Sequence, residues 1–226
     1  LLYIREVATI PLVDESTGKS VVKGIVYPEG PDPSLGTVKG VPAGSLSCVL
    51  EIAEKMSGAV VARSSPVPLR RAADGWEPVA LSVPIDAPRL WSPEAPDLYV
   101  ARVFLLNTIE KQETTVDLAE AIIGIRSLEV RNGDFFLTGK RVVIRGVTWY
   151  EDHPSWGSAL TYEQMEKDVA QVKNLGANCI RFAERPPHPY MLNLCDRYGL
   201  FAMVEYPVCA PGGVLADEGY VELAGS

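Results

Sequence analysis

The second half of the chain alternates strand-like and helix-like segments, and this order constrains the fold more than any other feature. Between residues 146 and 206 the sequence reads as strand, helix, strand, helix and strand, with short connections. Strands joined by helices in this way pair in parallel, because each helix returns the chain to the end of the sheet from which it started. The segment therefore predicts consecutive parallel βαβ units, an α/β architecture.

The two predicted helices carry start and stop signals. Thr161 and Gln164 have the spacing of a capping box, and Gly176 stands where a left-handed stop is expected. The second helix has Pro189 near its start and Gly199 as its stop. The apolar residues that share one face of the first helix are Met165, Val169, Val172 and Leu175.

The strands on either side of the second helix are the segments NCIRFA and LFAMVEY. Neither alternates between apolar and polar residues, which predicts strands that are buried on both faces. Upstream, FFLTGKRVVIRGVTWY reads as a hairpin whose TGK turn separates two apolar strands. These segments hold about two and a half βα units, whereas a closed eight-stranded barrel takes roughly 250 residues. The chain is too short to complete such a barrel.

Residues 1 to about 126 follow a different pattern. Short runs rich in Val, Ile, Leu and Tyr recur with turn residues between them, and no convincing helix interrupts them. This pattern predicts an antiparallel β-sandwich. In the run LYVARVFLL, one face is formed by Tyr99, Ala101, Val103 and Leu105.

Charge and composition exclude several partners. The formal charge of -8 disfavours nucleic acid and anionic membranes, which both require a basic surface. No run approaches the ~18–20 apolar residues of a membrane-spanning helix. The chain begins without Met or a secretory leader, so we expect an internal segment of a longer protein. The cysteines form no CxxC pair, and we expect buried, reduced side chains at Cys48, Cys179, Cys195 and Cys209.

One charged residue interrupts a strand that is otherwise apolar. In NCIRFAERPP, Arg181 lies inside the strand, and Glu184 and Arg185 follow at its carboxyl end, where parallel α/β folds place functional residues. Glu205, at the end of the next strand, is the expected partner of the guanidinium. Two interpretations stay open at this point. The arginine orients a catalytic carboxylate or a substrate hydroxyl, or it is tied to a neighbouring glutamate for structure alone.

Several separated motifs give a resemblance to a known family. LWSPEAPDLY, IGIRSLEV, FFLTGK with IRGV, RGVTWYEDHPSWG and NCIRFAERPPHPYMLNLCDRYGLFAMVEYP occur in this order between residues 88 and 208. They resemble glycoside hydrolase family 2, the β-galactosidase and β-glucuronidase family. The resemblance implies a multi-domain β plus α/β chain. Residues 1–126 would form an immunoglobulin-like antiparallel sandwich, and residues 127–226 the first two to three βα units of an incomplete (β/α)8 TIM barrel.

The resemblance also implies a function for the parent protein, which would cleave a terminal β-linked sugar with retention of configuration and so have carbohydrate as its partner. In such an enzyme Arg181 would steady the nucleophile, while Glu184, Tyr150 and Glu205 would shape the wall next to the sugar. Trp149 and its aromatic neighbours follow the first barrel strand. Two roles stay open for them: stacking on a sugar ring, or packing at the barrel floor or the sandwich interface.

The chain departs from the family pattern at several of these positions. After the arginine, the family's Ser-His-Tyr-Pro is replaced by Ala-Glu-Arg-Pro, so that Glu184 stands in place of a substrate-facing histidine. At residues 148–151, the family's Asn-Arg-His-Glu is replaced by Thr-Trp-Tyr-Glu. Cys209 and Pro211 stand where the metal-using galactosidases carry Glu and His. Neither supplies the hard oxygen ligands that magnesium requires. We therefore expect no galactosidase-type metal site and no cofactor in this segment.

The catalytic carboxylates of the family are missing from this chain. A retaining glycosidase needs an acid/base and a nucleophile about 5–5.5 Å apart. The family places the acid/base in an Asn-Glu pair at the fourth barrel strand and the nucleophile at the seventh, whereas this chain has no Asn-Glu dipeptide and ends around the third strand. We expect the polypeptide alone to be inactive. Glu184 with Glu205 is a poor substitute pair, because neither falls on a catalytic position of the family.

Other interpretations remain open. The altered motifs leave room for a non-catalytic carbohydrate-binding or scaffold module derived from the family. The rest of the barrel could instead belong to a separate chain, and the exposed sheet edges would then predict self-association. His153 and His188 each precede a proline, and loop histidines packed on those prolines are favoured over catalytic bases. Trp91 is expected to be a structural corner.

Overall fold

The structure is a computed structural model that describes residues 2–31 and 45–205. Contacts between Cα atoms divide the chain into two compact units. The first holds the described residues of Leu1–Ser92 and Asp97–Val142, and the second those of Pro93–Pro96 and Val143–Ser226.

The first unit is built from antiparallel strands. In chain order they are β1 (Tyr3–Asp14), β2 (Lys19–Glu29), β3 (Ser45–Glu54), β4 (Val60–Arg63), β5 (Val67–Pro68), β6 (Arg71–Ala72), β7 (Gly75–Trp76), β8 (Val79–Ile85), β9 (Tyr99–Ile109), β10 (Gln112–Ile123), β11 (Leu128–Arg131), β12 (Asp134–Leu137) and β13 (Lys140–Val142). One sheet has the order β1-β2-β8, and a second has the order β10-β9-β3-β4, with β5 also paired to β3. β6 pairs with β7 in a small separate ladder.

The two large sheets enclose one apolar core, as the period of two predicts. The strand β8 alternates strictly between buried and exposed side chains. The face predicted from LYVARVFLL is confirmed, because all four of its residues belong to this core: Tyr99, Ala101, Val103 and Leu105. Trp91 is buried, and the guanidinium of Arg126 lies 4.3 Å from its ring centroid. The predicted structural role of Trp91 agrees with this packing.

A third sheet, β11-β12-β13, contains the predicted hairpin. Its turn includes Thr138 and Gly139, and Gly139 has a φ of 76°. The hairpin is shorter than predicted, because its second strand ends at Val142 and the residues from Gly146 onward enter a different sheet.

The second unit is a parallel βαβαβ arrangement, which confirms the predicted order of elements. It comprises β14 (Gly146–Trp149), α1 (Tyr162–Asn174), β15 (Cys179–Phe182), α2 (Pro189–Tyr198) and β16 (Phe201–Val204). The strands pair in parallel in the order β14-β15-β16. Neither described helix has the length and apolar character needed to cross a membrane.

The helix ends follow the predicted signals with one difference. Gly176 and Gly199 have φ angles of 77° and 69°, the left-handed values expected of stops. Thr161 Oγ1 accepts a hydrogen bond from the N–H of Gln164 at 3.2 Å, but the Gln164 side chain donates to Asp168 instead of returning to the cap. Only half of the capping box is therefore present.

Two predictions for this unit are wrong, one about the apolar face of α1 and one about the burial of the strands. Leu175 is 77% exposed, because α1 ends one residue before it and its side chain leaves the buried face. The strands are also not buried on both faces. In β15 the side chain of Arg181 is 43% exposed, and in β16 the residues Ala202 and Met203 are exposed. Only the helix-covered face of this sheet is fully apolar.

Candidate functional site

The parallel sheet of the second unit has two chemically different faces. One face packs against the helices in an apolar cluster that includes Val147, Trp149, Ile180, Phe182 and Val204. Because side chains alternate along a strand, the residues between them point to the other face. There Thr148, Arg181 and Met203 are direct neighbours in the strand register. The arginine is thus on the face that the described helices leave uncovered.

An ion pair joins the ends of the last two strands. Arg181 Nε donates to Glu205 Oε1 at 2.7 Å, and Arg181 Nη2 contacts the same oxygen. Arg181 Nη1 also donates to Thr148 Oγ1 at 3.3 Å. The guanidinium therefore spans all three strands, and the partner predicted for it, Glu205, is confirmed.

The same carboxylate holds the backbone of Glu184. Glu205 Oε2 accepts a hydrogen bond from the N–H of Glu184 at 3.0 Å. This bond, followed by the Arg181 ion pair, lowers the pKa of Glu205 below its ordinary value and outweighs the opposing effect of desolvation. Glu184 has a φ of 69°, a left-handed conformation that costs a residue with a side chain about 1–3 kcal/mol.

A second ion pair lies beside the first. Arg185 Nη2 is 3.3 Å from Glu151 Oε2 and 3.4 Å from the Glu151 carbonyl oxygen. It joins the loop after β14 to the loop after β15. Both loops are at the carboxyl end of the sheet, where parallel folds bind their ligands.

An open pocket of about 740 Å³ lies between these loops. Most of its described lining residues carry a polar group, and they include two of the predicted substrate-binding residues, Glu184 and Tyr150. The tyrosine is 55% exposed. The lining residues are Tyr150, Glu151, Asp152, Ser158, Ala183, Glu184 and Arg185.

Trp149 lies on the opposite side of the sheet from Arg181. Its indole N–H donates to Asp168 Oδ2 of α1 at 3.1 Å, and its ring packs edge-on against Phe182 with 5.7 Å between centroids. These contacts are those of a core residue. Trp149 also borders a small cleft together with Glu151 and Arg185, two residues that line the pocket as well.

The two histidines accept hydrogen bonds through Nδ1. His153 accepts from the N–H of Ser155, and His188 caps α2 by accepting from the N–H of Tyr190, both at 3.1 Å. The His153 ring also stacks on Trp156, with 4.2 Å between centroids. These are structural roles in loops and at a helix cap.

The cysteines in the described ranges are buried and free, as predicted for Cys48, Cys179 and Cys195. Burial raises the pKa of Cys48 and of Cys195 to about 12. Such thiols are poor nucleophiles. Cys209 lies outside the described residues.

The described side chains form no metal-binding cluster. Among residues 2–31 and 45–205, no group of three His, Cys, Asp or Glu side chains is arranged to hold a metal ion. Cys209 and Pro211 are not among these residues, so the expectation about a galactosidase-type magnesium site stays a prediction.

The sequence did not reveal several contacts of the site. Glu205 was predicted as a partner for Arg181, but its bond to the Glu184 amide depends on a left-handed turn for which a glutamate gives no signal. The contact between Thr148 and Arg181 could have been found by aligning β14 and β15 as neighbouring parallel strands. Arg185 and Glu151 lie in two different loops, and the sequence of a loop has no periodicity from which such a pairing could be predicted.

Comparisons with known proteins agree with this architecture. Residues 37–126 match the family description "Glycosyl hydrolases family 2", and residues 128–217 match "Glycosyl hydrolases family 2, TIM barrel domain". A β-galactosidase from Enterobacter cloacae is 34% identical over 146 residues, which cover 63% of this chain and 14% of that protein. A β-galactosidase from Yersinia pestis bv. Antiqua (strain Angola) is 39% identical over 121 residues, 54% of this chain and 11% of that protein. The chain thus spans a small part of these curated relatives.

Solved structures give the same result at the level of the fold. The β-glucuronidase of Bifidobacterium dentium, in complex with coumarin-3-O-glucuronide, superposes with a TM-score of 0.75 at 25% identity, covering 91% of this chain and 31% of that one. The apo β-glucuronidase 3 of Bacteroides uniformis superposes with a TM-score of 0.73 at 24% identity, covering 99% of this chain and 25% of that one. The chain belongs to glycosyl hydrolase family 2 and combines an immunoglobulin-like β-sandwich with the first βα units of the family's TIM barrel.

Proposed function

We propose that this chain is part of a retaining glycoside hydrolase that cleaves terminal β-linked sugars, in the manner of a β-galactosidase. The observation that carries the proposal is the Arg181–Glu205 ion pair at the carboxyl ends of parallel strands, on the face of the sheet that the described helices leave uncovered and beside an open pocket lined by Tyr150 and Glu184. The names of the two relatives, both β-galactosidases, support the same substrate class.

Each predicted site residue has a role in this proposal. Glu184 and Tyr150 line the pocket, where their carboxylate and phenol can hydrogen-bond to sugar hydroxyls. The guanidinium of Arg181 steadies the nucleophile, and its contacts with Glu205 and Thr148 fix its orientation. Trp149 supports the wall from the helix-covered side through its contacts with Asp168 and Phe182.

The chain by itself is proposed to be inactive. Its sequence lacks the family's Asn-Glu pair. Glu205 cannot replace the general acid, because its lowered pKa keeps it ionised and both of its oxygens already accept hydrogen bonds. Retention requires a proton donor and a separate nucleophile. Both must come from parts of the enzyme beyond these residues.

The division into residues 1–126 and 127–226 is retained as a proposal for the domain organisation. The two family matches meet between residues 126 and 128, which supports it. Contacts group the β11–β13 sheet with the first unit, so the structural grouping continues to Val142.

Hydrolysis by the full-length protein that contains this segment tests the proposal. We expect release of the aryl alcohol from an aryl β-galactoside, with the β-anomer of galactose as the first product detected by NMR. The 226-residue chain is the matched control and should release none. An α-anomer as first product, or no turnover of aryl β-galactoside, β-glucoside or β-glucuronide, would contradict the proposal.

A non-catalytic carbohydrate-binding module is the second candidate. It is favoured by one observation: the pocket exposes Tyr150 among polar side chains, in a chain without the catalytic pair. Titration of galactose into the 226-residue chain, read from amide chemical shifts, separates the two. Shifts at the pocket combined with an inactive full-length protein would favour this candidate.

We also propose that the isolated chain self-associates. In the described part of the parallel sheet, β14 and β16 are edge strands. Unpaired N–H and C=O groups at such edges template pairing with another chain. Sedimentation velocity should show concentration-dependent oligomers, and a monomer at all concentrations would contradict this.

A further inference from the structure

The two oxygens of the Glu205 carboxylate accept hydrogen bonds from different residues. Its Oε1 receives the guanidinium of Arg181, and its Oε2 receives the backbone N–H of Glu184. The described lining of the pocket contains Glu184 and does not contain Glu205. Glu205 therefore faces the two groups that it holds, and Glu184 is the one of the three that lines the pocket.

The backbone of Glu184 needs such a restraint. Its φ of 69° is unfavourable for a residue with a side chain. A glycine would adopt this φ without strain, but the position is occupied by a glutamate. The hydrogen bond that Glu205 Oε2 accepts from the Glu184 N–H links this strained residue to the segment after β16. That segment is held to β15 in turn, because the Glu205 N–H donates to the Phe182 carbonyl oxygen at 3.1 Å. A charge-assisted hydrogen bond is roughly twice as strong as a neutral one, which suits it to hold a strained backbone.

We infer that Glu205 is a positioning residue, which sets the specificity-determining orientation of Glu184 by holding its backbone amide and does not itself bind the sugar. The inference rests on the proposed function for its effect on turnover, but the restraint on Glu184 does not depend on that function.

The variant Glu205→Gln tests the restraint selectively. The amide of Gln has one acceptor and one donor group. When its oxygen faces the guanidinium of Arg181, its NH2 group faces the N–H of Glu184, and two donors then oppose each other. The variant thus keeps the bond to Arg181 and removes the bond to Glu184. A matched control is Glu166→Gln, which alters another glutamate that pairs with an arginine of the same unit, Arg197.

The first measurement needs no enzymatic activity. Amide hydrogen exchange of Glu184 is followed by NMR in the 226-residue chain. In Glu205→Gln we expect exchange about 10- to 100-fold faster than in the wild type, the range expected for loss of a hydrogen bond to a charged group. In Glu166→Gln it should be unchanged. Unchanged exchange in Glu205→Gln, with the spectrum of a folded chain, would overturn the inference.

The second measurement uses the full-length protein and a double-mutant cycle. If Glu205 acts through Glu184, Glu205→Gln should lower kcat/KM for an aryl β-galactoside at least about tenfold in the wild-type background and less than about threefold in a Glu184→Ala background. Equal losses in both backgrounds would overturn the inference. An inactive wild-type enzyme would defeat the proposed function alone, and hydrogen exchange would then decide the inference.

Discussion

Asn178 fastens the segment before β14 to the start of β15 by hydrogen-bonding to the backbone of Arg145. Asn178 Oδ1 accepts from the N–H of Arg145 at 2.7 Å, and Asn178 Nδ2 donates to the carbonyl of Val143 at 2.8 Å. Asn178 is only 6% exposed, so water cannot replace these partners. The side-chain amide thus bonds to one backbone N–H and one backbone carbonyl, as the backbone of a neighbouring strand would.

Replacing Asn178 by alanine should therefore destabilise the second unit. Two backbone groups would lose their partners in a buried setting, and we expect a loss of about 2–4 kcal/mol in the free energy of unfolding. Urea unfolding followed by the helical circular dichroism signal measures it, because both described helices belong to this unit. Asn174→Ala, at an exposed position in the last turn of α1, is the control and should change stability by less than about 0.5 kcal/mol. Equal effects of the two changes would refute the prediction.

Gly199 should be intolerant of any side chain. It has a φ of 69°, and an added Cβ would lie 2.9 Å from Cα of Pro93 and collide with the carbonyl oxygen of that proline. Lys173 Nζ donates to the same oxygen at 2.7 Å, which keeps it in place. Gly199→Ala combines left-handed strain with overpacking, and we expect a cost of about 3 kcal/mol or more.

Gly176 offers a matched comparison for that change. It has a φ of 77°, but nothing lies within 4 Å of an added Cβ. Gly176→Ala should therefore cost only the strain, about 1–2 kcal/mol. Thermal unfolding of both variants separates the two contributions, and a Gly199→Ala protein as stable as Gly176→Ala would show that the contact with Pro93 is unimportant.

Asp14 should titrate at an unusually low pH. Its carboxylate accepts hydrogen bonds from Ser16 Oγ at 2.6 Å, Thr17 Oγ1 at 2.7 Å and the N–H of Ser16 at 2.9 Å, and these lower its pKa from 3.8 to about 2. Because the folded-state pKa is depressed, the stability it contributes is complete above pH ~3.8 and is lost as the pH falls through about 2.

Carboxyl carbon chemical shifts measured by NMR as a function of pH test this. In Ser16→Ala the pKa of Asp14 should rise toward its ordinary value, because the hydroxyl group that lowers this pKa most is removed. A wild-type Asp14 that already titrates near 3.8 would contradict the hydrogen bonding seen in the turn between β1 and β2.

Arg181 should be sensitive even to a conservative change. A lysine has no planar fork and cannot contact Glu205 and Thr148 together. In the full-length protein we expect kcat for an aryl β-galactoside to fall at least about tenfold in Arg181→Lys and about a hundredfold in Arg181→Ala. Arg197→Lys, on α2 and paired with Glu166, is the control. Unchanged turnover in Arg181→Ala would remove this residue from the site.

The order and type of the elements could be predicted because the physical signals were local. The alternation along β8 and β9 and the glycine stops after α1 and α2 each depend on a few adjacent residues, and both are present in the structure. The ion pair between Arg181 and Glu205 could be predicted because parallel strands bring their carboxyl ends to one edge.

Other features could not be read from the sequence. NCIRFA was interpreted as buried on both faces, since its small and apolar residues conceal the alternation. Cys179 is buried at one end of β15, whereas Arg181 is half-exposed two residues later on the same face. The left-handed turn at Glu184 depends on a tertiary contact with Glu205. No local residue preference predicts such a contact.

The register of the parallel sheet has a consequence for how this part of the protein can change. Arg181 and Phe182 are adjacent in sequence but lie on opposite faces of the sheet. Arg181 lies beside Thr148 and Met203, whereas Phe182 packs in the apolar cluster with the helices. Adding or deleting a single residue within β15 would exchange their surroundings and place a cation among apolar side chains. The chemistry at this edge of the sheet can therefore change through substitution of single residues or through changes in loop length. The number of residues in β15 itself must stay constant.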